Sequence, residues 1–371
     1  MNRKNAFVKL LLSPFAFLYS FAVGVRNLLF DFKILPAKKY DIPVICVGNI
    51  SVGGTGKTPF TEYLIALLQK QVRIAVLSRG YKRHTNGFLA VETKHTALEV
   101  GDEACQIMQK FPNILVAVDG NRRRGISRIL SLPEDKRPDV ILLDDAMQHR
   151  YVMPSLTIML TDYHHMYYDD KALPAGDLRE SRRGAYRADM IVVTKCPEAI
   201  KPTDMRIVQK MMVLNAHQRL YFTKIKYHPL EALYPSFAKC TCSLKEMEED
   251  TQILLVTGIA NPHPFIDTIK SQCNRMTTRI FPDHHGFTLA DIQGLQLEFQ
   301  KMTAKKKRII TTEKDAMRLK TLAYLPAEWK PVLYYLPMSV QFLFDQEYDF
   351  CKQIFNHIHS NIHIKEKYVR N

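Results

Sequence analysis

Short apolar runs recur along the chain at 44–47, 73–77, 114–118, 140–143, 155–160 and 189–193. Runs of this length without alternation fit strands buried on both faces of a parallel sheet. Segments with helical spacing lie between them, at 60–68 and 104–110. Strand and helix in alternation predict βαβ units. Past Pro202 the pattern loosens. The stretch 219–227 alternates and reads as a strand of a connecting hairpin, and a second strand–helix unit opens at 252–258. Three parts are expected: an N-terminal segment 1–40, a nucleotide-binding domain 41–224 and a smaller C-terminal α/β domain 225–371.

The first forty residues differ from the rest. Sixteen uncharged residues, rich in Leu, Phe and Val, separate Lys9 from Arg26, and the only acid in this segment is Asp31. The run is short for a bilayer-spanning helix, which takes about 20 apolar residues. It fits an amphipathic segment lying in a membrane interface with basic flanks on anionic headgroups. The competing reading is a helix packed on the protein's own core. In either case Pro14 and Gly24 are expected to interrupt it.

The stretch that follows the first strand carries the clearest chemistry. Ser51-Val52-Gly53-Gly54-Thr55-Gly56-Lys57-Thr58 stands between the strand at 44–47 and the helix at 60–68. Strand, glycine-rich loop, Lys-Thr and helix make a P-loop, with Ser51 where the general pattern has its first glycine. Its backbone N–H groups and the helix dipole suit an anion. Lys57 is placed to reach the terminal phosphates and the Thr58 hydroxyl to hold Mg²⁺.

Further candidates sit where parallel strands end, which is where such sheets bind ligands. Arg79 and Tyr81 follow the second strand, and Asp144 and Asp145 close the strand at 140–143. Adjacent carboxylates need a cation or donors to compensate them, which favours a metal site. Gln148 and His149 follow directly. Asp102 and Glu103 open a helix, where acids also serve simply as dipole partners; position alone leaves both roles open. Arg179 lies in a Pro- and Gly-containing loop with arginine at 182, 183 and 187. Asp283-His284-His285 follows a strand-like run, and His284 reads either as a surface histidine or as a catalytic one facing a cleft.

Charge narrows the partners. The formal net charge is +15, which favours nucleotide, nucleic acid or an acidic membrane surface. Nucleic acid fits poorly, because the basic residues are not interleaved with aromatics on strands. The seven cysteines show neither zinc-site nor disulfide spacing. A membrane-associated nucleotide switch remains the second functional reading, since it shares the P-loop and the paired carboxylates.

Taken in order, these motifs resemble the tetraacyldisaccharide 4′-kinases of lipid A biosynthesis. The matching stretches are 47–59, Leu77-Ser-Arg-Gly-Tyr81, Gly101-Asp-Glu103, Leu142-Leu-Asp-Asp-Ala-Met-Gln-His149, Leu173-Pro-Ala-Gly-Asp-Leu-Arg-Glu180, Asp283-His284 and Thr312-Glu-Lys-Asp315. Ala146-Met147 stands where Gly-Phe is usual, and Asp177 where Pro is usual. The resemblance implies an α/β P-loop fold with a parallel sheet flanked by helices, a smaller C-terminal α/β domain and an N-terminal membrane-associated helix. It implies transfer of the γ-phosphate of ATP, with Mg²⁺, to the 4′-hydroxyl of an acylated glucosamine disaccharide 1-phosphate, giving lipid IVA. Residues 51–58 then hold the nucleotide, with Lys57 also catalytic, and Thr58, Asp144 and Asp145 serve the metal. Asp102 with His284 takes the hydroxyl proton, and Arg79, Tyr81, Gln148, His149 and Arg179 meet the lipid headgroup. The expected location is peripheral, on the cytoplasmic face of the bacterial inner membrane, with no nucleic acid and no obligate protein partner.

Overall fold

The computed structural model describes residues 6–244, 250–273 and 275–369. Among these, β1 (Val44–Gly48), β2 (Ile74–Ser78), β3 (Leu89–Ala90), β4 (Leu115–Val118), β5 (Val140–Asp144), β6 (Leu156–Asp162), β7 (Met190–Thr194), β8 (Arg219–Tyr227) and β15 (Met338–Phe342) form the larger sheet. Their order is β15-β8-β7-β6-β1-β5-β2-β4-β3. All neighbours from β4 to β8 pair in parallel, and the two edge strands β3 and β15 are antiparallel. Successive side chains of β1 alternate between two cores. Ile45 and Val47 meet α2 (Lys57–Leu68), α4 (Asp102–Lys110) and α10 (Gln346–Val369). Val44 and Cys46 meet α5 (Arg122–Leu130) and α6 (Pro202–Met212). Helices on both faces explain why these strands are apolar throughout.

The connections run to one side of β1 up to β5 and to the other from β6 onward. Loops therefore part at the carboxyl end of β1, which opens a crevice there. The P-loop leaves β1 into that crevice.

The smaller sheet contains β9 (Leu230–Ala232), β10 (Thr241–Cys242), β11 (Thr251–Thr257), β12 (Met276–Ile280), β13 (Lys306–Thr312) and β14 (Leu333–Leu336), ordered β10-β9-β14-β13-β11-β12. On one face α8 (Leu289–Lys301) and α9 (Glu313–Lys320) pack around the fully buried Trp329; α7 (His263–Lys270) covers the other. The architecture is the α/β fold expected, with a smaller C-terminal α/β unit. Two local expectations are corrected. The stretch 219–227 is no connecting hairpin: β8 lies inside the larger sheet, beside β7 and under β15. Its partner arrives from far down the chain, so no local pattern announces it.

The second correction concerns α1 (Ala6–Asp31), which is one continuous helix through both Pro14 and Gly24. Its docking explains the run through Gly24. Tyr19 Oη donates to Arg179 O (2.7 Å), Asn27 Nδ2 to Glu180 Oε2 (3.2 Å), and Arg150 Nη1 to Asn27 O (2.8 Å). These ties straddle Gly24 and outweigh its propensity cost of about 1 kcal/mol. Much of the helix is otherwise bare: Phe15, Phe17, Leu18 and Phe21 are each more than 60% exposed. The stretch Leu11–Asp31 is long and apolar enough to cross a membrane by length and composition.

C-terminal helix α10 closes the core of the nucleotide-binding sheet. Phe350 is fully buried and meets Phe60 of α2 edge-on at 5.7 Å and Phe342 of β15 at 4.8 Å. Phe350→Ala is expected to cost about 3–5 kcal/mol, read from the midpoint of chemical denaturation. A loss under about 1 kcal/mol would mean that α10 is dispensable to that core.

Candidate active site

Two glycines give the P-loop its path. Gly53 (φ 104°) and Gly56 (φ 84°) take left-handed backbone that L side chains avoid. The loop is fastened on both sides. Val52 N donates to Asp177 O and Arg179 N to Ile50 O, both at 2.7 Å, and Ser51 bridges Leu178. Thr55 is held from within, where Asn49 Nδ2 donates to its Oγ1 (2.7 Å), and from β7, where Thr194 Oγ1 donates to its carbonyl (2.8 Å). Lys195 adds a contact to the Gly54 carbonyl and pairs with Asp162 at 2.7 Å.

Lys57 opens α2 and is largely buried, 3.8 Å from Asp145. Burial pushes its pKa down against the pull of Asp145. Asp145 takes both bonds of Arg179 Nη1, at 3.0 and 2.9 Å. Burial works to raise its pKa, but Lys57 and Arg179 hold it below the usual carboxylate range. Its neighbour behaves oppositely. Asp144 is 5% exposed, and burial, then the adjacent Asp145, push it up to about 6. Asp144 Oδ1 is buried without a hydrogen-bond partner, while Oδ2 accepts only a long bond from Ser78 (3.4 Å).

That orphaned oxygen tests the fit of a metal. Among the described residues no group of three or more His, Cys, Asp or Glu could hold an ion alone. Mg²⁺ does not need one: it is usually held by one or two carboxylates plus phosphate oxygens. Asp144 Oδ1 with the Thr58 hydroxyl beside the loop fits that habit.

Asp102 is placed by a glycine pair. Gly80 (φ 66°) and Gly101 (φ 88°) lie back to back, so close that a Cβ on Gly101 would stand 3.0 Å from Gly80 Cα. This contact packs the Ser78-Arg79-Gly80-Tyr81 turn against the start of α4. Across the cleft, His284, itself at φ 59°, brings Nδ1 to 2.7 Å from Asp102 Oδ2, and Tyr81 meets the imidazole edge-on at 5.4 Å. The two residues thus meet although they are supplied by the two different sheets. Burial works to raise the Asp102 pKa, but the His284 hydrogen bond and the Arg318 guanidinium outweigh it and hold the carboxyl well below its usual range.

Several contacts at the site join residues whose pairing no local signal announces. Arg318 of α9 donates to both Asp102 oxygens, at 3.1 and 2.5 Å, and to Asp315 at 2.7 Å. Lys314 reaches Glu103 (3.1 Å) and the far nitrogen of His284 (3.3 Å). Buried Glu180 collects Arg187 (2.7 and 2.8 Å) and Gln148 (2.9 Å). Of these residues, Glu103, Gln148, Glu180, Lys314 and Asp315 fall in the motifs named above and Arg187 in the arginine-bearing loop, whereas Arg318 lies outside them all.

Gln148 also donates to Asn49 O (2.8 Å), which ties the headgroup candidates to the P-loop base. His149 is pushed down to about 4 by burial and then by Arg122, and its Nε2 is buried without a partner. It is therefore neutral at physiological pH. Arg79 is exposed and lines the same cleft as Tyr81, Gln148, His149 and Arg179.

That cleft has a volume of about 1120 Å³. Besides the P-loop it is lined by Arg79, His149 and Arg179, by Tyr19, Val23, Arg26 and Asn27 of α1, and by Lys195, Cys196 and Pro197 with the apolar Ile225, Phe265 and Met338. Asp102's partner His284 lines it too, with Asp144, Asp145 and Lys57.

Known proteins share this arrangement of sequence and fold. The family model for tetraacyldisaccharide-1-P 4′-kinase matches residues 8–359. A tetraacyldisaccharide 4′-kinase of Parabacteroides distasonis is 52% identical over 95% of both chains. One from Bacteroides thetaiotaomicron is 45% identical over 94% of this chain and 93% of its own. A crystal structure of LpxK from Aquifex aeolicus, described as an "apo" form in complex with ATP, superposes with a TM-score of 0.71. It is 28% identical, over 95% of this chain and 99% of that one. With matches of this extent in family model, sequence and fold, the chain belongs to the tetraacyldisaccharide-1-P 4′-kinase family.

Proposed function

We propose that the protein transfers the γ-phosphate of ATP to the 4′-hydroxyl of tetraacyldisaccharide 1-phosphate, forming lipid IVA, on the cytoplasmic face of the bacterial inner membrane. The observation that carries this reading is the single cleft, lined at once by the P-loop, by His284 hydrogen-bonded to Asp102, and by the inner side of the apolar helix α1. A triphosphate cradled by residues 51–58 extends its nucleoside toward Lys195 and the apolar Ile225 and Met338, which line the same cleft. Its γ-phosphate then lies toward Asp144 and His284. The acceptor enters from the α1 side, with its headgroup among Arg79, Tyr81, Gln148, His149 and Arg179 and its acyl chains left in lipid.

Phosphoryl transfer is mainly positioning and charge neutralisation. When bound, Mg²⁺ neutralises charge on the transferring phosphate. The protein's part is the rest. Lys57, already stripped of water, meets the terminal phosphates, and Arg179 keeps Asp145 compensated until they arrive. Asp102 is a weak base in this state because Arg318 and His284 hold its charge. A weak base suffices: in a loose transition state the acceptor hydroxyl becomes acidic only as its bond to phosphorus forms. The Asp102 carboxylate then receives that proton, and its hydrogen bond to His284 orients it.

The test is incubation with ATP, Mg²⁺ and the disaccharide lipid, followed by mass analysis for one added phosphate. An unmodified lipid from active, ATP-binding protein would reject the kinase reading in favour of a nucleotide switch. The Parabacteroides and Bacteroides relatives both carry the kinase name, so the switch has no support among them.

The membrane part has its own test. Each phenylalanine removed from water contributes about 2–3 kcal/mol, and the basic flanks add attraction to anionic lipid. Replacing Phe15, Phe17 and Phe21 together by serine is expected to move the protein from the membrane to the soluble fraction while ATP binding persists. If the variant still sedimented with membranes, the anchor would lie elsewhere.

A further inference from the structure

At the edge of the cleft, which Gln106 and Glu313 help to line, one partly exposed ammonium is shared by two buried carboxylates. Lys110 Nζ, in the last turn of α4, donates to Glu62 Oε2 of α2 and to Glu313 Oε1 of α9, each at 2.7 Å. Gln106 Nε2 satisfies the other Glu62 oxygen, also at 2.7 Å. The Glu62 and Glu313 side chains are 6% and 9% exposed. Two carboxylates in so dry a place repel unless the cation stands between them. Removing Lys110 therefore leaves α2 and α9 with a reason to separate.

The three helices are those that carry the reaction. Lys57 begins α2, Asp102 begins α4, and α9 supplies Lys314 to His284 and Arg318 to Asp102. Glu313 is the residue before Lys314. We propose that Lys110 is a positioning residue: it latches α9 of the smaller sheet onto the P-loop helix, and so sets the register of Asp102 and His284 against the donor phosphate. The mechanism above makes no use of it, although the latch rests on the kinase reading for its purpose. Lys110 does not itself line the cleft, although its partner Glu313 does. Its effect on turnover runs through where α9 sits.

The experiment uses full-length protein in detergent with ATP, Mg²⁺ and the lipid acceptor. Lys110→Met is expected to lower kcat by about 10²-fold, the scale of an ångström-level misplacement, while the Kd for ATP stays within about 3-fold. Amides of 313–320 are expected to exchange faster with solvent. Lys110→Arg, which keeps the cation, should recover most of kcat. Should Lys110→Met fail to fold, Glu313→Gln keeps the Lys110–Glu62 pair and removes only the charge of the α9 bond; the same fall in kcat and faster exchange are expected. Unchanged kcat with unchanged exchange in a folded variant overturns the latch. So does an equal loss of kcat and ATP binding that Lys110→Arg does not repair, since that is plain structural damage. If the wild type phosphorylated no lipid, the kinase reading would fail, and the exchange of α9 would still decide the latch.

Discussion

Asp102→Asn is expected to lower kcat by about 10²–10⁴-fold, the usual worth of a positioned proton acceptor, with ATP affinity little changed. The substitution keeps the size of the side chain and removes its charge. The Asp102 carboxylate stands 2.7 Å from His284 Nδ1 and takes two bonds from Arg318. Arg318 retains Asp315 as a partner at 2.7 Å, so the guanidinium is not stranded. That makes the variant a clean probe of chemistry, not of folding. His284→Ala should cost less, because the base itself remains. A turnover within about 3-fold of wild type for Asp102→Asn would remove the residue from the proton path.

Lys57→Met is expected to reduce kcat/KM by about 10³-fold, or roughly 4 kcal/mol. Its ammonium has already lost most of its hydration, and Asp145, at 3.8 Å, only partly compensates that loss. The energy spent in desolvating it returns when the phosphate charge builds. Lys57→Arg should not rescue, since a planar fork does not fit where a compact point charge stands under a glycine loop. Asp145 keeps Arg179 in either variant, so the local fold should survive. Steady-state kinetics with ATP varied at saturating acceptor measures the effect. A loss below about 10-fold would transfer the phosphate-facing role to another cation, with Lys195 the first to examine.

The donor half of the site was legible in the chain because its parts are local. Buried parallel strands read as apolar runs, and their carboxyl ends face the crevice, so Lys57, Arg79 and Asp144 could be placed by position alone. The partnership of Asp102 with His284 came only through the family resemblance; from position each kept a plain structural reading. What stayed hidden is what depends on contacts between distant residues. Arg318 sits in an ordinary amphipathic helix, and nothing around it says that it will meet Asp102 across 216 positions. Lys110 reads as a helix-end cation and Glu62 as a helix-surface acid until folding buries Glu62 and brings the two together. Gly24 suggested a break in α1, because the ties of Tyr19 and Asn27 that straddle it are tertiary. Likewise β15 looks like any short strand, and only its antiparallel pairing with β8 returns the chain to the larger sheet.

The central claim is that one cleft joins a nucleotide donor to a membrane-held sugar hydroxyl. Counting ADP formed against lipid phosphorylated, with the new phosphate located by fragmentation, tests it most directly. The account predicts one ADP per phosphorylated lipid, the phosphate on the 4′-hydroxyl, and little ADP without acceptor. Steady ADP release with no phosphorylated lipid, or a phosphate on any other hydroxyl, would contradict it.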